Sequence, residues 1–306
     1  MEPPLGSGSL VAAEVVDQPR AWRLAAALAA AAPPFQLGAR TALIGCGSSW
    51  HAAAAIAAVR EQTGAGETDA FPASEARLDR GYARCIAISR SGRTSELLSA
   101  LSRVPAGVEK LAIVGDRASA VAAACDTTID FAFADDRSVV QTRFVTSVIA
   151  FGRAALGAPL DAAISDAEAA IDGDLALDPA QVEQLVFLGQ GWGVALAHAA
   201  ALVARETGKA QTEAYPAMEY RHGPIATAGA GTVVWFIGAA PDGLAGEIEG
   251  VGATVIQSGL DPLAELVRVQ RVGLAIAALR GLDPDKPPNL TRAVVLPPTD
   301  REEVAG

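Results

Sequence analysis

The strongest constraint on the fold of this chain is internal repetition, the sign of a unit used more than once. Residues 43–77, LIGCGSSWHAAAAIAAVREQTGAGETDAFPASEAR, overlay residues 187–221, FLGQGWGVALAHAAALVARETGKAQTEAYPAMEYR, without a gap. Gly45 falls on Gly189, Gly47 on Gly191, Thr63-Gly64 on Thr207-Gly208, Thr68 on Thr212, and DAFPASEAR on EAYPAMEYR. The pattern implies a tandem duplication of one α/β unit. In each copy an apolar strand (TALIG, LVFLG) enters a Gly-x-Gly turn, an Ala-rich helix ends at Thr-Gly, and a short strand runs into Phe/Tyr-Pro. Further β-rich runs follow (CIAIS, LAIVGD, TTIDFAF; then TVVWFIG, ATVIQS, AVVLP) with helical spacers between them. Strands alternating with helices predict βαβ units in parallel sheets, and short, continuously apolar strands suit a sheet covered on both faces.

The expected organisation is an N-terminal extension at 1–37, units at 38–158 and 179–299, an acidic helical connector at 159–178, and a tail at 300–306. In the extension, LAAALAAAAPPF looks superficially like a signal peptide. It is preceded by acidic residues (Glu14, Asp17), and Trp22, Leu24 and Leu28 at helical spacing predict a surface helix stopped at Pro33-Pro34. No stretch is apolar for long enough to span a bilayer, so a cytoplasmic protein without membrane contact is expected. The net charge of −11 argues against nucleic acid, whose phosphates need clustered Lys and Arg. Cys46, Cys85 and Cys125 show no metal-ligand spacing and read as small buried hydrophobes; no metal is expected.

In open α/β sheets ligands sit beyond the carboxyl ends of the strands, where loops feed helix N-termini. Two hydroxyl-rich loops occupy such positions in the first copy: GCGSSW, with Ser48 and Ser49, and SRSGRTSE, with Ser89, Arg90, Ser91 and Thr94. Hydroxyls, backbone N–H groups and the positive end of a helix dipole together suit a phosphate monoester. The plainer alternative is that Ser91 or Thr94 only caps a helix with Glu96 in its first turn. The sequence lacks the Gly-Lys-Ser/Thr ending of a nucleotide-triphosphate loop. Asp69 stands near the spacing of a ribose-binding acid, but Trp50 replaces the third glycine of a dinucleotide fingerprint, so no nucleotide cofactor is expected.

A third concentration of chemistry lies in ARETGKAQTEAYPAMEYRHGP, with Glu206, Glu213, Glu219, Arg221 and His222. A carboxylate and an imidazole suit the proton movements of ring opening and enolisation. Where the second copy has Glu206, Arg221 and His222, the first has Gln62, Arg77 and Leu78. This asymmetry points to a division of labour, with phosphate grip in one copy and chemistry in the other. Glu75 and Glu219, shared by both copies, read as structural.

The motifs GCGSSWHAA, SRSGRTSE, DDRSVVQTRFVTS, EAYPAMEYRHGP and PPNLTRAVVLP resemble, in order and spacing, those of the sugar-isomerase (SIS) domain proteins. They are most similar to the isomerase half of glutamine–fructose-6-phosphate aminotransferase and its free-standing isomerase and deaminase relatives. EVVDQPRAWR resembles the segment that leads into that half. The resemblance implies two flavodoxin-like units and a homodimer. It assigns Ser48, Ser49, Ser89, Ser91 and Thr94 to the sugar phosphate, and Gln141 to a position that helps hold it. Glu206 matches the base that moves a proton between carbons 1 and 2. His222 matches the ring-opening histidine contributed across the dimer interface.

Some positions depart from the family pattern. Ala199 and Val203 stand where the aminotransferase isomerase has an acid and a lysine, and Arg292 replaces its C-terminal lysine. Arg292 can pair with anionic or polar substrate groups but cannot form a Schiff base. The glutaminase domain and its N-terminal cysteine are missing, so the chain is not expected to draw ammonia from glutamine. The expected activity is isomerisation or deamination of a hexose or hexosamine 6-phosphate through enolisation. The alternatives are a non-catalytic sugar-phosphate sensor and a fructosamine-phosphate deglycase.

Overall fold

The structure, a computed structural model, describes residues 9–31 and 38–297. Its elements run α1 (Leu10–Val16), α2 (Gln18–Ala31), β1 (Thr41–Gly45), α3 (Ser48–Gln62), β2 (Thr68–Pro72), β3 (Arg84–Ser89), α4 (Ser95–Ser102), β4 (Glu109–Val114), α5 (Ala120–Ala123), β5 (Thr127–Asp130), α6 (Arg143–Ala155) and α7 (Asp161–Asp172). The second part continues with β6 (Gln184–Gly189), α8 (Gly193–Gly208), β7 (Gln211–Pro216), β8 (Thr232–Ile237), α9 (Leu244–Gly250), β9 (Thr254–Ile256) and α10 (Pro262–Leu279). Among the described residues the strands form two sheets, β2-β1-β3-β4-β5 and β7-β6-β8-β9, with every pairing parallel. The first has the flavodoxin-like strand order, whose reversal beside β1 opens a crevice at the carboxyl ends of β1 and β3.

The apolar strands are continuous because both faces are covered: every residue of β1, β3 and β8 is buried. The largest core joins the inner faces of both sheets to α1, α2, α3, α6, α7, α8 and α10. Smaller clusters lie on the outer faces, under α4 and α5 in the first unit and under α9 in the second. Helices α3 and α8 pack against each other between the two sheets.

Corresponding residues hold corresponding places. Gly45 pairs with Pro72 across β1 and β2, and Gly189 with Pro216 across β6 and β7. A Cβ on Gly45 would lie 2.7 Å from the carbonyl carbon of Ser49, and one on Gly189 would lie 2.2 Å from the carbonyl oxygen of Gly193. Both glycines are therefore required by the tight approach of the helix to the strand end.

Three sequence expectations are corrected. AVVLP does not form a strand; it crosses back to the first unit, where the Val294 carbonyl accepts from the Ser95 N–H (3.2 Å) and Ser95 Oγ accepts from the Leu296 N–H (2.9 Å). Its backbone groups are engaged on α4, and β9 is the edge of the second sheet. Helix α2 is not a surface helix built on Trp22, Leu24 and Leu28. Trp22 is fully buried with Ala21 and Ala25 and donates to Thr146 Oγ1 (3.0 Å), while Leu24 is exposed. The small alanines let α2 lie close against α6, so the bulky leucine is turned outward. The connector's helix ends at Asp172, short of the acidic segment's end. Pro33-Pro34 and the tail at 300–306 lie outside the described residues.

Candidate active site

The two hydroxyl-rich loops meet at the carboxyl ends of β1 and β3, where they line a cavity of about 170 Å³. Ser48 and Ser49 form the first turn of α3, and Ser89 is the last residue of β3. Ser91 and Thr94 come from the loop that opens α4, and Gln141 from the loop before α6. Glu206, from the last turns of α8, and Arg292, from the C-terminal segment, complete the wall. Every sequence-predicted site residue except His222 therefore borders one cavity.

The 89–94 loop is shaped by its own hydrogen bonds. Ser89 Oγ accepts from the Gly92 N–H (3.0 Å), and Ser91 Oγ accepts from the Arg93 N–H (3.3 Å). Gly92 has φ +62°, and a Cβ there would fall 2.0 Å from Ser119 Oγ, so no other residue fits. Thr94 occupies the N-cap position of α4, yet its side chain makes no capping hydrogen bond. Capping therefore does not account for this hydroxyl, which borders the cavity instead. Ser49 Oγ donates to Gln141 Oε1 (3.4 Å), linking the α3 turn to the loop before α6.

The electrostatics separate two ends. The starts of α3 and α4 direct positive dipole ends at the cavity. At the other end stands Glu206: burial pushes its pKa up to about 7, although the positive charges of Arg90 and Arg205 oppose the shift. A carboxyl that titrates near neutrality next to a polar cavity is suited to take up and return a proton.

The two cavity arginines are not free cations. Arg90 is 2% exposed, burial lowers its pKa, and its guanidinium is spent on backbone carbonyls, including Ser138 (2.6 Å) and Arg292 (2.7 Å). It helps build the wall of the cavity that it borders. Arg292 reaches both carboxylate oxygens of Asp135 (2.6 Å each) and the Asp136 carbonyl (2.9 Å).

His222 ends a 3₁₀ turn, Ala217–His222, and is exposed away from the cavity of its own chain. Glu75 and Glu219 are exposed in the 3₁₀ turns that follow β2 and β7. Asp69 is engaged by the Tyr82 hydroxyl and by Arg40. Ala199 and Val203 are buried in the core, 6% and 3% exposed.

Two ionisable lining residues were missed as site residues. Glu96 has a buried Oε2 without a hydrogen-bond partner. Cys46, expected to be an inert core residue, also borders the cavity; burial, then the charge of Glu96, pushes its thiol pKa up. Their positions, one residue after β1 and two after Thr94, were the available signal.

No protein-family model matches the chain. The glutamine–fructose-6-phosphate aminotransferase (isomerizing) of Methanothermobacter thermautotrophicus is 28% identical over 84% of this chain and 52% of its own length. The Gloeobacter violaceus enzyme of the same name is 26% identical over the same shares. The chain thus spans about half the length of these curated relatives. Among solved structures, a glucosamine-6-phosphate deaminase from Thermotoga maritima superposes with a TM-score of 0.80 at 25% identity, covering 94% of this chain and 100% of that one. The Escherichia coli tagatose-6-phosphate ketose/aldose isomerase shares the fold, with a TM-score of 0.76 at 18% identity over 98% and 100% of the two chains. Strand order, loop motifs and relatives agree: the chain has two parallel α/β units and resembles the sugar-isomerase (SIS) domain proteins in sequence and fold.

Proposed function

We propose that the protein is an enzyme that processes a hexose or hexosamine 6-phosphate by enolisation across carbons 1 and 2, as an isomerase or an amino-sugar-phosphate deaminase. The observation that carries this reading is the entry of Glu206, a carboxyl with a pKa near 7, into the cavity built by the loops of the other unit. The names of the relatives, which include an isomerizing aminotransferase and a glucosamine-6-phosphate deaminase, support the same substrate class.

In this reading Ser48, Ser49, Ser89, Ser91 and Thr94, with the start of α4, hold the phosphate, and Gln141 assists from the facing loop. The sugar extends toward Glu206. His222 of a second copy opens the ring, which makes the homodimer the active form. Glu206 removes the proton from carbon 2 of the open aldose, giving an enediol or enolamine, and returns it to carbon 1. With a hydroxyl on carbon 2 the product is the ketose. With an amino group the product is a carbon-2 imine, which water hydrolyses to the same ketose and ammonia. The hydrolytic branch needs no lysine, and Ala199, Val203 and Arg292 offer none.

The experiment is incubation with glucosamine 6-phosphate and, separately, fructose 6-phosphate in deuterated water. The expected result is deuterium at carbon 1 or 2, with ammonia release from the amino sugar. Tight binding without exchange or turnover would leave a sensor; turnover only of a fructosamine 6-phosphate would make it a deglycase.

A further inference from the structure

Helix α1 touches no part of the cavity, yet it is fastened to both segments that shape one wall. At its end, Glu14 is 4% exposed and turned into the loop 135–141. Its Oε1 accepts from the Arg137 N–H (2.6 Å) and the Ser138 N–H (3.2 Å), and its Oε2 accepts from the Ser138 hydroxyl. At the start of α1, the Asp285 carboxylate accepts from the Leu10 N–H (2.8 Å), the Val11 N–H (2.9 Å) and Ser9 Oγ (2.9 Å). Asp285 belongs to the segment that continues to Arg292.

The loop held by Glu14 directs its carbonyls the other way. Arg90 donates to the carbonyls of Asp136 (3.3 Å), Ser138 (2.6 Å) and Val139 (3.2 Å), and Arg292 donates to that of Asp136 (2.9 Å). The same loop presents Val139 and Gln141 to the cavity. A carboxylate is acceptor-only, so Glu14 satisfies the Arg137 and Ser138 N–H donors, which would otherwise be left without protein partners. With those donors fixed on α1, the loop carbonyls are fixed on the two arginines.

We infer that α1 is a positioning element of the sugar-phosphate site and that Glu14 is the residue through which it acts. The inference rests on the sugar-phosphate reading given above. Glu14 acts through the loop: removing its side chain frees the 137–138 backbone, and Gln141, Val139, Arg90 and Arg292 lose their common support.

The test is calorimetric titration of full-length protein with glucosamine 6-phosphate, paired with thermal unfolding. Glu14→Ala is expected to weaken binding about tenfold or more, the effect of stranding buried donors. Glu14→Gln is expected to restore affinity to within about twofold, because its amide can keep all three contacts. Its oxygen accepts the two N–H bonds and its nitrogen donates to Ser138 Oγ, whose own proton reaches the Val140 carbonyl (2.8 Å).

Ile248→Ala, a core truncation under α9, lowers the melting temperature without touching the loop and is expected to leave affinity unchanged. Undiminished binding by Glu14→Ala, or equal weakening by Ile248→Ala, overturns the inference while the sugar-phosphate reading stands. If Glu14→Ala does not fold, Ser138→Ala carries the test, and unchanged affinity there overturns the inference. A wild-type protein that binds no hexose phosphate overturns the functional reading and this inference with it.

Discussion

The two units build the same mouth at the ends of their strands, but among the described residues the first leaves it open around a cavity and the second bridges it. After β1 and β3 come Gly47-Ser48-Ser49 and the 89–94 loop, around the cavity. After β6 and β8 the equivalent turns are Gln190-Gly191-Trp192 and Gly238-Ala239-Ala240-Pro241, with no hydroxyl among them. There Gln190 Nε2 donates to the Ala239 carbonyl (3.1 Å), and Gly193 comes so near β8 that a Cβ would lie 2.8 Å from the Ile237 carbonyl oxygen. The second mouth is bridged by the Gln190 side chain, with the start of α8 close against the end of β8.

The residues facing the two mouths differ in the complementary sense. Glu206 on α8 faces the open mouth, while Gln62 on α3 lies over the bridged one, its Nε2 2.2 Å from where a Gly191 Cβ would be. Likewise Leu78 is buried where the second unit exposes His222. In the proposed function one unit supplies the grip and the other the proton-transfer groups. The shared part is the packing.

The sharpest way to break this comparison is the exchange Glu206→Gln against Gln62→Glu. The first is expected to lower turnover about 10²- to 10⁴-fold, the usual contribution of a positioned general base, with little change in sugar-phosphate affinity. The second is expected to leave turnover unchanged, and a comparable loss in both would dissolve the asymmetry. Gly45→Ala and Gly189→Ala test the shared part. Each is expected to cost about 1–3 kcal/mol in denaturant unfolding, because the added methyl meets fixed backbone in both units. A loss confined to one would show that the turns are not equivalent.

Next in size, Ser91→Ala and Thr94→Ala are each expected to weaken sugar-phosphate binding about tenfold, the scale of a hydrogen bond to a charged group. Ala239→Ser, in the bridged mouth, is expected to create no second site by calorimetric stoichiometry.

The smallest effect is in pH. Turnover should rise through about pH 7 as Glu206 ionises, and a profile flat across that range would remove it as the base. Its pKa stands at about 7 against 4.5 for an unperturbed glutamate, so the folded protein binds more protons than the unfolded chain between those values. Its contribution to stability therefore falls as pH rises through that window. Glu206→Gln should be more stable than the wild type above pH 7, with the difference shrinking toward pH 4 in thermal unfolding scans.

Much of this was legible because it depends on local chemistry. A glycine needed for close approach, a hydroxyl cluster after a buried strand, and an acid present in one copy but absent from the other all leave marks in the sequence. The misreadings come from long-range partners. Val294-Val295-Leu296 has the composition of a strand, but its backbone found donors and acceptors on α4 before it could reach a sheet edge. Arg90 reads as a cation of a polar loop, and only the carbonyls of a distant loop show where its guanidinium donors go. Glu96 and Cys46 passed as a first-turn acid and a core thiol because nothing nearby in the chain shows that they face the same space.

The crossing of α8 to the neighbouring unit has a consequence for the chain as a whole. Neither half, produced alone, contains both the hydroxyl-rich loops and Glu206. Under the proposed function, a cut in the segment between α7 and β6 would leave two pieces whose activity depends on their concentration, appearing only as fast as they find each other.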